Sequence, residues 1–186
     1  MTGDLKYFKD PPDEPLYTRF LIHFTNGSHL AFEDLRKFGK IGLTSDYLDF
    51  IRQLKLGPDI LDESFDYRAF QKILSRKKGR IKALLMDQHM FAGIGNLWAD
   101  EILFQAGINP AKSLDEISPA KKSKLFLTMK SVLVTAVESE RQDERLPPHF
   151  LLNSREPNGT CPLCGRHLHT RKIAGRTTYY CSRHQK

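Results

Sequence analysis

The sequence predicts an α+β fold in which a β-hairpin, a group of helices and a second, cysteine-bearing hairpin follow one another along the chain. Three observations support this prediction. Alternating apolar residues flank an Asn26-Gly27 pair, apolar residues recur at helical spacing through the middle of the chain, and all three cysteines lie beyond residue 160. With 186 residues, the chain can form one domain of ordinary size or two small ones.

The amino-terminal stretch is predicted to contain the first hairpin. Residues 10–15 include three prolines, which lack a backbone donor, and are predicted to be a loop. Residues 16–24 then alternate, and Asn-Gly between two such runs is the strongest short signal of a hairpin turn. We therefore predict a hairpin over residues 16–33. Because a lone hairpin is only marginally stable in water, we expect it to join a larger sheet, for which little β sequence remains here.

Five helices are predicted in the middle of the chain. The expected spans are 45–56, 65–74, 81–88, 97–105 and a last helix that begins at Pro119. The fourth helix follows Gly93 and Gly95, which permit a sharp turn with positive φ, and Asn96 is predicted to be its N-cap. Residues 138–160 are polar and contain several prolines, so they are predicted to be a linker in which residues 150–152 dock on the helices.

The tail has the spacing of a metal site. Two residues separate Cys161 from Cys164, and Cys181 and His184 repeat that gap further on. Each short gap lets a tight turn aim two side chains at one point, and three thiolates with one imidazole form a closed tetrahedral zinc site. The segment between the pairs predicts two short strands joined at Ala174-Gly175. We predict one structural zinc ion held by Cys161, Cys164, Cys181 and His184, with His167 and His169 as alternative fourth ligands.

The charge of the chain favours a polyanionic partner, with nucleic acid the first candidate. Lys and Arg outnumber Asp and Glu by 29 to 22, which gives a net charge of +7 and a pI near 9.3. No run of 18 apolar residues is present, which argues against a membrane-spanning helix. Three cysteines cannot all pair, and no export segment precedes them. We expect a monomeric cytoplasmic, nucleoid-associated protein without membrane contacts.

The glycine turn at residues 91–96 is a candidate anion site. The N–H groups at a helix N-terminus and the helix dipole both favour an anion such as a phosphate. Asn96 can add a side-chain donor, while Lys82 and the basic run 76–80 can add charge. The turn of the second hairpin carries further cations that can face a nucleic-acid backbone, namely Arg171, Lys172 and Arg176. The alternative interpretation of the glycine turn is a plain connection between two helices.

Several motifs occur in a characteristic order. They are Ile81-Lys82 through Asp87-Gln88, Ala92-Gly93-Ile94-Gly95-Asn96, Asp100-Glu101-Ile102-Leu103, Ala106-Gly107-Ile108-Asn109-Pro110, and the cysteine pairs with Gly175-Arg176-Thr177. Together they resemble the family that formamidopyrimidine-DNA glycosylase forms with endonuclease VIII. The loop from Asp34 to Gly39 is similar to a family loop with an Arg and a Phe two residues apart. The resemblance covers most of residues 1–40 and 57–186.

The resemblance implies three domains. Residues 1–44 would be the end of a catalytic β-sandwich, residues 45–142 a helix–two-turn–helix DNA-binding domain, and residues 143–186 a linker and a zinc finger. It also implies binding to damaged or abasic double-stranded DNA in base excision repair. The family consists of DNA glycosylases with AP lyase activity, which flip the damaged base out of the helix.

The resemblance also assigns roles to residues. Those that would clamp phosphates beside the damaged nucleotide are Lys82, Asn96 and Arg176. Those that would fill the void left by the flipped base are Met1, Arg36 and Phe38, with Arg36 facing the orphaned base and Phe38 wedging the stack. Glu101 corresponds to a glutamate near the active centre of relatives and is a candidate supporting residue. The loop of residues 33–40 has the alternative interpretation of a solvated connection.

The sequence departs from the family pattern in three places. His184 stands where the fourth cysteine is usual, and residues 139–157 do not match the loop that closes over the flipped base. The family attacks with an N-terminal proline, followed by a glutamate, and this chain begins Met1-Thr2-Gly3. We therefore assign no catalytic residue, expect no Schiff-base chemistry at a family-like rate from the chain as given, and expect a truncated glycosylase.

Two alternatives to this interpretation remain. One is a non-enzymatic zinc-containing nucleic-acid-binding protein, such as a damage sensor or a structural binder, and the other is a ribosome-associated module. The Arg36 and Phe38 pair favours damaged DNA as the partner, because a protein that binds only phosphates needs no side chains to fill a void.

Overall fold

The computed structural model describes residues 3–142 and 145–186, with the backbone alone at residues 141 and 142. The chain divides into two compact units, Met1–Tyr47 and Leu48–Lys186. Met1, to which the resemblance gives a role in DNA binding, lies outside the described residues.

The first unit is a three-stranded antiparallel sheet in the order β1–β3–β2. The strands are β1 (Gly3–Phe8), β2 (Thr18–His23) and β3 (His29–Asp34). The predicted hairpin is confirmed as β2–β3: Gly27 has a φ of +82°, and the Phe24 N–H donates to the Ser28 carbonyl at 2.9 Å. Strand β1 was not predicted, although Asp4 and Lys6 alternate there with Leu5 and Tyr7. Few apolar side chains of this sheet are buried, Phe8 and Ala31 among them.

The rest of the chain contains the five predicted helices. They are α1 (Tyr47–Gln53), α2 (Tyr67–Ser75), α3 (Ile81–Leu85), α4 (Asn96–Ala106) and α5 (Pro119–Gln142). Asp66 caps α2, because its carboxylate accepts the Ala69 N–H at 2.8 Å. Gly107, with a φ of +72°, ends α4 in the left-handed conformation that favours glycine. In the described ranges, no helix combines the length and apolarity that crossing a membrane requires.

Several helix boundaries differ from the sequence prediction, including those of α1, predicted over 45–56, and α2, predicted over 65–74. α3 ends at Leu85 instead of Gln88, because the Gln88 side chain closes the glycine turn, donating to the Ile94 carbonyl and accepting the Gly93 N–H. The N-cap of α4 is Gly95, and the Asn96 side chain is engaged elsewhere. α5 continues through Gln142 into the predicted linker. The prediction ended this helix too early because its final turns are polar and carry no apolar periodicity. The helix continues there because Glu, Arg and Gln are good helix formers.

The core of the second unit is built on aromatic side chains and on α4. Phe65, Phe70, Phe91 and Phe126 pack with ring centroids 5.5–6.3 Å apart. Ile102 and Leu103 of α4 are completely buried in the same cluster. Burial of a Phe at such a site stabilises the fold substantially, since its truncation to Ala typically costs about 3–5 kcal/mol. This core holds α4, which begins directly after the glycine turn, in place.

The cysteine-bearing tail forms the predicted hairpin, with strands β4 (His169–Ile173) and β5 (Arg176–Tyr180). Ala174 and Gly175 have φ values of +48° and +74°, the positive-φ pair that a tight two-residue hairpin turn requires. The tail packs against α4 through a small buried cluster of Phe104, Leu151, Cys161 and Cys181. A short 3-10 helix, Leu151–Ser154, completes this contact. The tail hairpin is therefore held directly on the helix that follows the glycine turn.

Candidate functional site

The four predicted metal ligands lie together. One ligand atom each from Cys161, Cys164, Cys181 and His184 falls within 4.8 Å of the others. The two alternative histidines have other partners: His167 Nδ1 is 3.3 Å from the Asn158 carbonyl, and His169 Nε2 is 3.0 Å from Ser182 Oγ. The prediction that these four side chains form one cluster is confirmed, and the cluster could hold a metal ion.

The chemistry of this cluster fits a metal ion. The Cys164 and Cys181 Sγ atoms are 3.8 Å apart, too far for a disulfide. The spacing matches the roughly 3.8 Å between two sulfurs bound tetrahedrally at about 2.3 Å from zinc. His184 Nε2 is buried with no hydrogen-bond partner among the described residues. Burial raises the pKa of the Cys161 thiol to about 11, so its thiolate needs a cation beside it.

Beside this hairpin lies a largely buried group of charges. The Lys82 ammonium is 2.7 Å from Asp100 Oδ1, and both side chains have no solvent exposure. Arg155 approaches the other carboxylate oxygen with Nε at 2.9 Å and Nη2 at 2.8 Å. Two cations thus surround one carboxylate. Burial raises the pKa of Asp100 and lowers that of Lys82, while the attraction between the two groups opposes both shifts.

Lys82 makes three short contacts inside the protein. Besides Asp100, its ammonium donates to Asn96 Oδ1 at 2.7 Å and to Thr178 Oγ1 at 2.6 Å. The ammonium thus has two hydrogen-bond acceptors, and the Asp100 carboxylate is its ion-pair partner. Sequence reasoning gave Lys82 a phosphate to bind; in this structure it joins α3 to α4 and to β5.

The glycine turn and the tip of the tail hairpin meet at Asn96. Because Lys82 donates to one end of the amide, that end is the oxygen, and Nδ2 points the other way. Asn96 Nδ2 donates to the Thr177 carbonyl at 3.2 Å, across 81 residues of sequence. Thr177 directly follows Arg176, whose side chain is exposed at the start of β5. The structure thus brings Lys82, Asn96 and the Arg176 backbone into one region.

The loop that carries Arg36 and Phe38 is organised by Asp34. The Asp34 carboxylate accepts the Gly39 N–H at 2.6 Å and the Arg36 N–H at 3.1 Å. The Gly39 contact is the largest of several N–H contacts that hold the pKa of Asp34 below its usual value. Lys37 adopts a φ of +56°, and the Arg36 guanidinium lies 5.5 Å from the centroid of the exposed Phe38 ring. The loop therefore displays both side chains at its surface.

Gly39 lies close to the Phe32 ring on β3. A Cβ at Gly39 would overlap the edge of that ring, so the ring or the loop would have to shift to admit a larger residue. The close return of the loop onto β3 therefore favours glycine. Asp34 and Gly39 together fix where the loop begins and ends.

Glu101, the candidate supporting residue, lies in the interior of the second unit. It is completely buried, and its carboxylate accepts the Leu152 N–H at 2.9 Å and the Gln105 amide at 2.7 Å. Burial is the main cause that raises the pKa of Glu101. In this structure Glu101 fastens the 3-10 helix of residues 151–154 to α4.

Three residues of the site escaped sequence reasoning as functional candidates: Asp100, Arg155 and Thr178. Asp100 was noted only as part of a motif, and Arg155 lies in the predicted linker. The one signal in the sequence was a charged residue on a helix whose other positions are mainly apolar. Their partners lie up to 96 residues away along the chain, as between Lys82 and Thr178. Only folding brings them together.

Known proteins with similar sequences support a specific family. A model of the formamidopyrimidine-DNA glycosylase H2TH domain matches residues 56–146. The formamidopyrimidine-DNA glycosylase of Pelotomaculum thermopropionicum is 34% identical over 200 residues, which cover 100% of this chain and 72% of the relative. That of Thermus thermophilus is 36% identical over 196 residues, covering 97% of this chain and 71% of the relative.

Solved structures agree with the sequence matches. The Fpg (MutM) protein of Thermus thermophilus has a TM-score of 0.78 at 31% identity, over 100% of this chain and 73% of its own. A complex of the LlFpg protein with THF-DNA and an inhibitor has a TM-score of 0.81 at 25% identity, over 100% of this chain and 72% of its own. The predicted combination of small antiparallel sheets, a helical H2TH domain and a cysteine–histidine hairpin is thereby confirmed.

Proposed function

The chain belongs to the formamidopyrimidine-DNA glycosylase family, and from that premise we propose that it binds double-stranded DNA at a damaged or abasic site in base excision repair. The relative crystallised with THF-DNA supports this choice of partner. The net charge of +7 supports it further, because neutralising phosphates drives DNA binding.

The contact between Asn96 and Thr177 is the observation that carries the proposal. It sets the first turn of α4 beside the tip of the tail hairpin. The N-terminus of an α-helix offers unpaired N–H groups and a positive dipole end, and Arg176 adds a full positive charge. One Asn96 N–H goes to the Thr177 carbonyl, and the second is our candidate donor to a phosphate oxygen. A single backbone phosphate fits this combination of donors.

Lys82 contributes to the proposed phosphate site from below the surface. Its ammonium orients the Asn96 amide and leaves a positive charge under the turn. Two cations, Lys82 and Arg155, oppose the single carboxylate of Asp100, so the buried group has one surplus positive charge. At low local dielectric such a charge attracts an anion more strongly than an exposed one does.

The loop between Asp34 and Gly39 supports the choice of a damaged site within this proposal. Phe38 is a large exposed apolar ring with the Arg36 guanidinium beside it. An apolar wedge and a planar cation suit a vacated base stack, because one stacks on neighbouring bases and the other hydrogen-bonds an unpaired base. We propose that this loop discriminates between intact and damaged DNA.

We further propose that the ion of the cysteine–histidine cluster is zinc. Three thiolates and one imidazole in a closed site are typical ligands of structural zinc. When bound, the ion would supply folding energy to a tail too small to be stable alone. The four side chains hold the ends of the hairpin, and the ion takes no part in chemistry.

The phosphate site is tested through the salt dependence of binding. Affinity for a THF-containing duplex is measured as a function of salt for the parent, for Arg176→Ala and for Lys124→Ala, a control that removes an exposed cation on α5. Loss of one phosphate contact lowers the slope of log K against log salt by roughly one. We expect this for Arg176→Ala and no change for the control. Equal slopes in all three proteins would contradict the role of Arg176.

The loop is tested through discrimination. Arg36→Ala and Phe38→Ala are each compared with the parent for affinity to a THF-containing duplex and to the same duplex intact. We expect the ratio of the two affinities to fall in both variants while the salt slope stays unchanged. If both variants discriminate as the parent does, the loop is a solvated connection and the choice of a damaged site fails.

The metal is tested by elemental analysis of protein purified without chelators. We expect one zinc ion per chain in the parent and a loss of zinc in Cys164→Ser. The hairpin should then lose its amide protection, and the affinity for DNA should fall sharply, because Arg176 is carried by that hairpin. Another metal, or none, in the parent would overturn the assignment.

A further inference from the structure

The tail hairpin is joined to α4 by charge as well as by apolar packing. Asp100 lies one turn into α4, and its carboxylate accepts bonds from Arg155 and from the Tyr179 N–H at 3.2 Å. Arg155 in turn donates to the Thr177 carbonyl at 3.0 Å, and its guanidinium lies 4.9 Å from the centroid of the Tyr179 ring. Asp100 of α4 thus binds the strand that bears Arg176, directly at Tyr179 and through Arg155 at Thr177.

A second connection reaches the same strand through Lys82. Its ammonium donates to Thr178 Oγ1, which lies 3.3 Å from the Arg176 carbonyl that accepts its proton. Thr178 is completely buried. The backbone from Arg176 to Tyr179 is therefore fixed at three successive residues by groups that all converge on Asp100.

Neither connection involves the metal ligands. Cys161 and Cys181 are held by their own turns, in which the Cys161 N–H donates to the Arg166 carbonyl and the Cys181 N–H to Gln185 Oε1. The buried charges contact the hairpin at Thr177, Thr178 and Tyr179, and none of these contacts uses a side chain of the cysteine–histidine cluster. We therefore expect the cluster to persist when the ion pairs are removed.

We propose that Asp100 and Arg155 are positioning residues, whose buried ion pair docks the metal-binding hairpin on α4 and thereby sets Arg176 beside Asn96. Because this inference concerns the same phosphate site, it rests on the proposed DNA binding. It assigns the orientation of the hairpin to a charge interaction that the metal cluster cannot replace. The surplus positive charge of the group also favours the docked arrangement when a phosphate is bound.

The inference is tested by a double-mutant cycle between Arg155 and Arg176, with affinity for a THF-containing duplex as the readout. A charge-assisted contact to phosphate is worth about tenfold in affinity, so Arg176→Ala should cost about tenfold in the parent. In the Arg155→Met background the same substitution should cost less than about twofold, because the two effects share one contact. In the Lys124→Ala control background it should again cost about tenfold.

Two further measurements separate positioning from folding. Zinc content should be one per chain in Arg155→Met, and backbone amides of residues 177–179 should exchange with solvent at least about tenfold faster than in the parent. Arg155→Lys, which keeps one ion pair with Asp100, should restore part of this protection.

The outcomes are distinct. A tenfold cost of Arg176→Ala that persists in Arg155→Met, or unchanged amide exchange in Arg155→Met, would overturn the inference and leave the proposed DNA binding intact. If Arg176→Ala has no effect in the parent, the phosphate role fails, and amide exchange alone then decides whether Asp100 and Arg155 dock the hairpin.

Discussion

Two buried carboxylates, Asp34 in the first unit and Asp100 in the second, organise their surroundings in opposite ways. Asp34 accepts N–H groups from its own loop, two and five residues further along the chain. Asp100 forms an ion pair with Lys82 and accepts hydrogen bonds from Arg155 and from the Tyr179 N–H, and these partners are 18, 55 and 79 residues away. One carboxylate shapes a local loop, and the other holds separate elements together.

The difference has an electrostatic consequence. At Asp34 the N–H donors outweigh burial, so the pKa of this carboxyl is lowered. At Asp100 burial outweighs the attraction of two cations, so the pKa is raised. When the Asp34 carboxylate is removed, each N–H that it accepted can hydrogen-bond to water instead. Removal of Asp100 instead leaves two buried cations without a counter-charge, which is the more costly defect.

The largest expected effect is that of Asp100→Asn. The substitution preserves volume but removes the charge that Lys82 and Arg155 share, so the free energy of unfolding should fall by about 3–5 kcal/mol. Denaturant unfolding of the zinc-loaded protein measures this. Glu63→Gln, at an exposed position, is the matched control and should change stability by less than about 0.5 kcal/mol. A loss in Asp100→Asn as small as the control's would show that the buried pairs are not needed.

Lys82→Met is expected to cost less than Asp100→Asn, although Lys82 is just as buried. Asp100 keeps Arg155 as its counter-charge, and the defect is the loss of hydrogen bonds at Asn96 and Thr178. Leaving such groups without a partner costs roughly 1–3 kcal/mol. The same unfolding measurement ranks the two variants. The opposite order would mean that Lys82, and not Asp100, is the centre of the group.

Asp34→Ala tests the local carboxylate through function. Without its acceptor the loop loses its fixed shape, and discrimination between THF-containing and intact duplex should fall about 2- to 10-fold, the equivalent of one hydrogen bond. Affinity for intact duplex and the salt slope should stay at parent values. Asp13→Ala, at an exposed carboxylate of the same unit, is the control. If discrimination is unchanged in Asp34→Ala, the loop does not depend on its anchor.

The smallest expected effect is a pH dependence. The pKa of Asp34 in the folded protein lies below the value of about 3.9 for an unfolded chain. Its contribution to stability is therefore complete above about pH 3.9 and disappears as the pH falls through the folded pKa. The stability difference between the parent and Asp34→Asn should shrink over that range. The Gly39 amide resonance, followed by NMR, should titrate below pH 3.9 in the parent and not in the variant; a midpoint above 3.9 contradicts the assignment.

Much of the architecture could be predicted from short stretches of sequence. The β2–β3 hairpin follows from Asn26-Gly27, the end of α4 from Gly107, and the metal cluster from the spacing of Cys161, Cys164, Cys181 and His184. Each of these is decided by the conformational limits of a few neighbouring residues or by the reach of paired side chains. The family resemblance likewise rested on local motifs, and the sequence and structural relatives confirm it.

Long-range partners could not be predicted in the same way. Asn96 was expected to cap α4, and it instead bonds Lys82 and Thr177. Lys82 was predicted to help clamp a phosphate, and neither its complete burial nor its contacts with Asp100, Asn96 and Thr178 were foreseen. The amino-acid sequence by itself determined which helices, hairpins and cysteine–histidine cluster form, because those depend on local geometry. Only the tertiary structure decided which charges meet, because the Lys82–Asp100–Arg155 group exists only where α3, α4, the 3-10 segment and β5 pack together and exclude water.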